Sequence, residues 1–253
     1  MSKQLTADRR NQLAQILLSN GSIKVGDASK EFGVSTETIR KDIIFLEKEG
    51  IAIKSHGGAT IASSMLERPV EKKKTENKDS KTRIAIEALA HIPPKSTIIL
   101  DAGSTNYTLA KLLSLEKDLT IFTNSIIALQ LLVKSENHIF SFGGLARPSS
   151  FGIIGKWANE ELRSIHADVS FIGTDGFLDL EGPATASYEE AEFKKNIVDA
   201  SETSFILSDS TKFHSRTLFE FCHWSEIDYL ITDNQAPKTA VEKIQNNTNV
   251  IMV

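Results

Sequence analysis

Residues 25–59 read VGDASKEFGVSTETIRKDIIFLEKEGIAIKSHGGA. Their spacing predicts a helix, a tight turn at Gly33, a second helix and a short β-ribbon closed at Gly57-Gly58. Ser35 is a natural N-cap for the second helix, because its hydroxyl accepts from an orphan amide of the first turn. Val34 before the cap and Ile39 after it form a hydrophobic staple that fixes the entry angle. Ile39, Ile43 and Leu46 recur at i, i+4 and i+7, one apolar stripe toward a small core. The opposite face carries Thr36, Glu37, Arg40, Lys41 and Lys48. Taken alone, such a helix is an ordinary surface helix with a solvated outer face. A short helix, glycine turn, capped helix and basic hairpin in one run point instead to a DNA reader. Ser35, Thr36, Thr38, Arg40 and Lys41 then face phosphates and base edges. Lys54 and His56 sit on a wing beside the hairpin turn.

At this point the residues resemble the winged helix-turn-helix of DeoR-type bacterial transcription regulators. Four blocks carry the resemblance: Phe32-Gly33-Val34-Ser35; Thr38-Ile39-Arg40-Lys41-Asp42; Leu46-Glu47 with Gly50; and His56-Gly57-Gly58-Ala59. Ile43 stands where many members carry leucine. Gly26-Asp27 replaces a better helix-forming pair, which predicts a late start for that helix.

Composition bounds the rest. The chain has 253 residues, 40% hydrophobic and 25% charged, ordinary for a soluble globular protein of one large or two modest domains. No apolar run approaches the ~20 residues of a membrane-spanning helix, and the start, MSKQLTADRRNQ, has no apolar signal core. The single cysteine, Cys222, excludes an intrachain disulfide and a cysteine-rich metal site. A cytoplasmic protein without cofactor or metal is expected. The net charge is −4, but it is divided unevenly. Residues 1–61 hold nine basic and seven acidic side chains (+2), leaving 20 basic and 26 acidic (−6) for residues 62–253. That is the sense expected of a DNA-reading module on an acidic body.

In chain order, Thr6 to Ser19 reads as a first helix stopped by Asn20-Gly21, with Arg9 and Arg10 on a solvated face. Ser22 to Val25 is a third strand for the ribbon. Ile51, Ile53 and Ser55 alternate with Ala52, Lys54 and His56 in the period of a half-buried strand. Domain boundaries are placed at 1–61 for the winged head, 62–79 for a solvated linker containing Pro69 and Lys72-Lys73-Lys74, and 80–253 for the body. Apolar periodicity resumes at Ile84, Ala85, Ala88, Leu89 and Ile92 and stops at Pro93-Pro94.

From Ser96 onward, short apolar strands alternate with helices. Strands are expected at Thr97–Leu100, Leu119–Phe122, His138–Phe142, Val169–Ile172, Ser204–Leu207, Tyr229–Ile231 and Val250–Val253. Helices are expected at Thr105–Leu113, Ile126–Lys134, Lys156–Ser164, Tyr188–Ser201 and Ala236–Gln245. This alternation predicts a Rossmann-like α/β domain with a mainly parallel sheet. Such sheets bind ligands at the carboxyl ends of their strands, and polar or glycine residues recur there. The first strand ends in Asp101-Ala102-Gly103-Ser104-Thr105-Asn106, in physical terms a phosphate seat at a helix N-terminus. It is not a Walker loop, because GK[ST] is missing. The next ends are Thr123-Asn124-Ser125; Gly143-Gly144 with Arg147, Gly152 and Gly155; Gly173-Thr174-Asp175-Gly176; and Ser208-Asp209-Ser210-Thr211-Lys212. Each loop alone is what any strand-to-helix turn needs. Together, with Glu189 nearby, they read as a pocket for a small anion whose sugar hydroxyls meet polar groups and whose phosphate meets amides and cations.

The same loops resemble the sensor domain of DeoR-type regulators, through Asp101-x-Gly103-Ser104-Thr105, Thr123-Asn124-Ser125, Gly143-Gly144, Asp175-Gly176, Glu190-Ala191 and Asp209-Ser210-x-Lys212-Phe213. That domain is similar in fold to ribose-5-phosphate isomerase. The resemblance implies a repressor of carbohydrate genes answering to a phosphorylated sugar. Ser104 stands where threonine is often found, and Pro183-Ala184 departs from the commoner leucine or valine. Two other readings remain open. One is a sugar-phosphate isomerase or deaminase with Asp175 or Glu189 as base and Lys212 as electrostatic stabiliser; the other is an architectural DNA protein, which would not require the pocket-like loops. The partners expected are operator DNA and a sugar phosphate, with two-fold pairing into a homodimer or a homotetramer and no membrane.

Overall fold

A computed structural model describes residues 6–48, 51–61 and 69–253. The chain divides into two compact units, residues 1–67 and 68–253. In the first, α1 (Thr6–Asn20), β1 (Ser22–Lys24), α2 (Val25–Phe32), α3 (Thr36–Lys48), β2 (Ala52–Ser55) and β3 (Gly58–Ile61) follow one another. The strands form an antiparallel sheet in the order β1-β3-β2. Leu13 and Leu17 from α1, Ala28 from α2 and Ile39, Ile43 and Leu46 from α3 fill one small core with Ile23, Val25, Ala52 and Ala59. Each fully buried aliphatic side chain there contributes about 1.5–3 kcal/mol. Gly33 ends α2 in the left-handed conformation, with φ 62°, which glycine adopts without a Cβ penalty. Ser35 caps α3, its Oγ accepting from Thr38 N at 3.2 Å. Gly58 lies so close to the Ile23 carbonyl that a Cβ there would collide with it, so β1 can pair only with a glycine.

Three local expectations fail in this unit. Helix α2 starts at Val25, directly after β1, and not late; Val25 N donates to Gly57 O at 2.9 Å, so the wing supplies the entry that Gly26-Asp27 does not. The strand after α3 has the opposite phase. Ala52 is buried and Ile53 is 48% exposed, because pairing with β3 turns Ala52 to the core and a one-residue shift reverses every side chain. Arg9 is buried, not solvated: its Nε donates to Asp42 Oδ2 at 2.7 Å, and Arg10 Nε donates to Asp42 Oδ1 at 2.9 Å.

The second unit begins with α4 (Val70–Lys73) and α5 (Lys78–Ala90). There follow β4 (Thr97–Leu100), α6 (Ser104–Leu113), β5 (Lys117–Thr123), α7 (Ile126–Leu132), β6 (Glu136–Ser141), β7 (Leu145–Ala146), β8 (Ile153–Ile154) and α8 (Lys156–Leu162). Then come β9 (Ala167–Gly173), β10 (Ala184–Thr185), α9 (Tyr188–Asp199), β11 (Ser201–Leu207), a 3-10 turn (Ser210–His214), β12 (Phe219–Glu220), β13 (Tyr229–Thr232), α10 (Lys238–Gln245) and β14 (Asn249–Met252). The main sheet has seven strands in the order β14-β13-β11-β9-β4-β5-β6, and every neighbouring pair is parallel. Successive residues point to opposite faces. Ile98, Leu100, Phe171, Phe205 and Leu207 pack with residues of α5, α6 and α7 on one side. Ile99, Ile172, Ile206 and Leu230 pack with residues of α8, α9 and α10 on the other. The runs Ile98–Leu100 and Phe205–Leu207 are apolar without alternation because both faces are covered.

The expected linker 62–79 needs correction over its described part. Val70 is buried, its amide donating to Ser149 O at 2.8 Å. Lys73 and Asn77 bond to groups of the sheet domain. Residues 69–79 therefore belong to the second unit, while 62–68 lie outside the described residues. No described helix is long and apolar enough to cross a membrane.

Candidate functional site

On the head, Thr36, Arg40 and Lys41 lie exposed on α3, and Lys54 and His56 lie exposed on the β2–β3 hairpin. Thr38 is half-buried. Its hydroxyl is 2.9 Å from that of Ser35, so both serve the helix cap. Arg40 Nη1 is 3.6 Å from Glu37 Oε2, with both side chains more than half exposed; such a contact is weak and leaves the guanidinium available. Asp42 points the other way, clamping Arg9 and Arg10 and so fixing α1 against α3.

In the sheet domain the strand order reverses between β4 and β9. The chain goes from β4 outward to β5 and β6, then returns to β9 on the other side of β4. Such a switch point opens a crevice beyond the strand ends. The loops there are tied together by buried charge. Asp101, 1% exposed, accepts from Gly173 N at 3.1 Å and from Lys194 Nζ, so it joins the ends of β4 and β9. Lys194 also donates to Gly173 O at 3.0 Å and lies 3.8 Å from Glu190 Oε1. Burial disfavours the Lys194 charge, but Asp101 and Glu190 overcome this and raise its pKa above the ordinary lysine value. Thr185 Oγ1 bridges Glu190 Oε2 and Asp175 Oδ2, both at 2.9 Å. Arg147 Nη2 stands 3.7 Å from Glu190 Oε2. Burial opposes ionisation of Asp175 too, yet the charges of Lys73 and Lys212 outweigh it and hold the carboxyl below the usual range.

The anticipated residues divide by what they do. Asp101, Ser104, Thr105, Asn106, Thr123, Asn124, Gly152, Arg147 and Asp175 gather at the ends of β4, β5 and β9. Gly152 packs against Ala102 and Asn124, placed by Ile153 N donating to Asn124 O at 2.7 Å. Gly103 opens α6, whose first turn buries Ser104, Thr105 and Asn106. Asn106 Nδ2 donates to Asp101 O and Phe171 O, both at 3.0 Å, a structural task. Thr123 donates to Leu100 O at 2.7 Å, and Ser125 caps α7. Among the described residues, three buried oxygens of this rim, Asp101 Oδ1, Asn106 Oδ1 and Asn124 Oδ1, have no hydrogen-bond partner. Buried polar groups are ordinarily satisfied, so these three oxygens set the rim apart from the rest of the strand-end loops.

Gly143 and Gly144 do other work. Gly143 N donates to Glu161 Oε2 at 2.9 Å, and Gly144 lets the β7–β8 hairpin close. Glu189 is exposed and bonded to Ser187 at 2.8 Å, outside the buried network. The inward acid is Glu190, because Glu190, Ala191, Lys194, Ile197 and Val198 share the buried face of α9. Sequence reasoning missed Lys194, Lys73 and Lys81. For Lys194 the signal was there: it lies four residues after Glu190, in phase with the apolar stripe.

Comparison with known proteins agrees with both units. Residues 9–65 match the DeoR-like helix-turn-helix domain, and residues 76–234 match the DeoR C-terminal sensor domain. A protein of Escherichia coli O157:H7, whose name proposes it as the aga operon transcriptional repressor, is 34% identical over 98% of this chain and 94% of its own length. The glycerol-3-phosphate regulon repressor of Escherichia coli K12 is 27% identical over 94% of this chain and 95% of its own. Ribose 5-phosphate isomerase A of Methanocaldococcus jannaschii is similar at a TM-score of 0.40 and 17% identity, covering 56% of each chain. With both units matched and a relative similar over nearly the whole chain, this protein belongs to the DeoR family of transcriptional regulators.

Proposed function

We propose that the protein is a cytoplasmic repressor of carbohydrate genes, working as a homodimer or homotetramer, whose operator binding is controlled by a phosphorylated sugar at the β4–β9 switch point. The names of its relatives, which cite the aga operon and the glycerol-3-phosphate regulon, support the gene class. The observation that carries the effector reading is the set of unpartnered buried oxygens on Asp101, Asn106 and Asn124 beside the first turn of α6. Amides of a first helical turn lie outside the helix's own hydrogen-bond ladder and favour an anion. The phosphate sits there with the Ser104 and Thr105 hydroxyls, while sugar hydroxyls donate to Asp101 and Asn124. Lys212 and Arg147 offset the ligand's charge. Asp175 is a poor general base, since the cations around it keep its proton affinity low, and the regulator reading is preferred to the isomerase reading.

A thermal-shift screen over triose, pentose and hexose phosphates tests this, because a ligand bound only by the folded form raises the melting point. Turnover of any of them, or no shift with all of them, would sink the reading. Lys212→Ala is expected to abolish the effect of the active compound on operator affinity while operator binding itself persists, as read by fluorescence anisotropy.

On the head, Arg40, Lys41 and Thr36 meet the major groove and its phosphates, and Lys54 and His56 meet the flanking backbone. Arg40→Ala is expected to weaken operator binding by about 1–3 kcal/mol, roughly 5–150-fold. The melting point should hold, because the exposed Glu37 contact contributes little. An unchanged operator affinity in the same assay would remove Arg40 from the interface.

A further inference from the structure

We propose that the Lys73–Asp175 ion pair is a latch that the effector opens, passing occupancy of the strand-end rim to the segment that leads toward the winged head. The inference rests on the effector site proposed above. Residues 69–81 are pinned to the rim at several points. Val70 N donates to Ser149 O at 2.8 Å, in the loop that packs over Asn124. Lys74 Nζ lies 4.2 Å above the Tyr107 ring on α6. Lys73 Nζ donates to Asp175 Oδ1 at 2.6 Å, and Asn77 Nδ2 donates to Asp209 Oδ1 at 3.3 Å. Lys81 closes the segment on itself, donating to Lys73 O at 2.5 Å and Glu76 O at 2.8 Å while standing 3.9 Å from Asp209 Oδ2.

These pins reach α6, the β7–β8 loop and the loops after β9 and β11, which surround the proposed site. Asp175 is the most exposed to competition. Its second oxygen already accepts from Thr185 at 2.9 Å and Ala186 N at 3.4 Å. A polyol donating to Asp175 must therefore act on the 2.6 Å pair. Both side chains of that pair are more than four-fifths buried, so the contact is screened less than a surface pair and its loss is felt. A ligand shifts an equilibrium only through contacts that differ between two states, and this contact differs.

The test uses the full chain, with Lys73→Gln and the charge-preserving Lys73→Arg. Backbone amide exchange over residues 69–81 is followed without ligand and with glycerol 3-phosphate, ribose 5-phosphate and fructose 6-phosphate, alongside operator affinity and melting point. Three results are expected. In the wild type, exchange over 69–81 rises with a compound that raises the melting point. Lys73→Gln exchanges fast without any compound, still gains melting point from it, and loses the roughly 5–150-fold change in operator affinity typical of coupled sites. Lys73→Arg restores the coupling. Unchanged exchange in Lys73→Gln, coupling that survives in it, or loss of its ability to bind the compound would each overturn the latch, the last by making Lys73 a ligand. If none of the three compounds shifts the wild-type melting point, the effector reading fails for them. Unchanged exchange over 69–81 in ligand-free Lys73→Gln would still overturn the latch.

Discussion

Lys194→Met is expected to lower the melting point of the sensor unit by roughly 6–20 °C, the largest effect anticipated for any single side chain of the rim. The lysine and Asp101 are both almost fully buried. Removing one partner of a buried pair leaves the other charge without compensation and costs about 3–5 kcal/mol. For a domain of this size each kcal/mol is worth roughly 2–4 °C. Among the described residues Asp101 would then keep only Gly173 N as a donor, and the β4 and β9 ends would lose one of the two bonds by which Asp101 joins them. Since the folded pKa of Lys194 is raised, its stabilisation is fully present below the ordinary lysine value and is lost only as pH rises through the folded value. The deficit of the variant should therefore be constant between pH 6 and 9 and shrink only at strongly alkaline pH. Differential scanning calorimetry across that range checks both size and shape, and a melting point within 2 °C of wild type would show that the pair holds nothing together.

Asp42→Ala should be the most damaging change in the winged head. Its carboxylate, 1% exposed, is the partner of a nearly buried Arg9 and of Arg10. The expected loss is again about 3–5 kcal/mol. A unit of about 60 residues has only about 3–9 kcal/mol to lose, at 0.05–0.15 kcal/mol per residue, and buries a smaller share of its surface than a larger domain does. Most of the head's stability would go, and operator binding with it. The sensor unit should still melt at its own temperature and still respond to its effector. Two calorimetric transitions, of which only the head's moves, would be the signature. The contrast with Arg40→Ala is informative: two residues apart on α3, one change is expected to remove a contact to DNA and the other the helix's seat on α1.

The fold was legible because its elements repeat a simple rule. Short, mostly apolar runs such as TIIL and SFIL, separated by helical stretches, admit a parallel sheet covered on both faces, and the seven strands lie where the runs are. Glycine and cap residues marked the ends of strands and helices, since few residue types serve there. Ser35 and Gly33 set α3 of the head by local chemistry alone. The polar and glycine residues of the strand-end loops were legible for the same reason.

What local sequence does not contain is the direction a polar side chain takes once the elements pack. Glu189 and Glu190 are adjacent and chemically alike, and only the rotation of α9 against the sheet turns Glu190 inward and leaves Glu189 in water. Lys72, Lys73 and Lys74 read as one solvated run, yet Lys73 alone reaches Asp175, a partner 102 residues away. Arg9 pairs with Asp42 across 33 residues. Ile53 and Ala52 exchanged faces because strand pairing, not composition, fixes the phase. The sequence by itself determined the two units, the order of their elements and the kinds of groups at the strand ends. The tertiary structure decided which charges are buried together, because that depends on distances between segments remote in the chain, and a local pattern of residues carries no record of those distances.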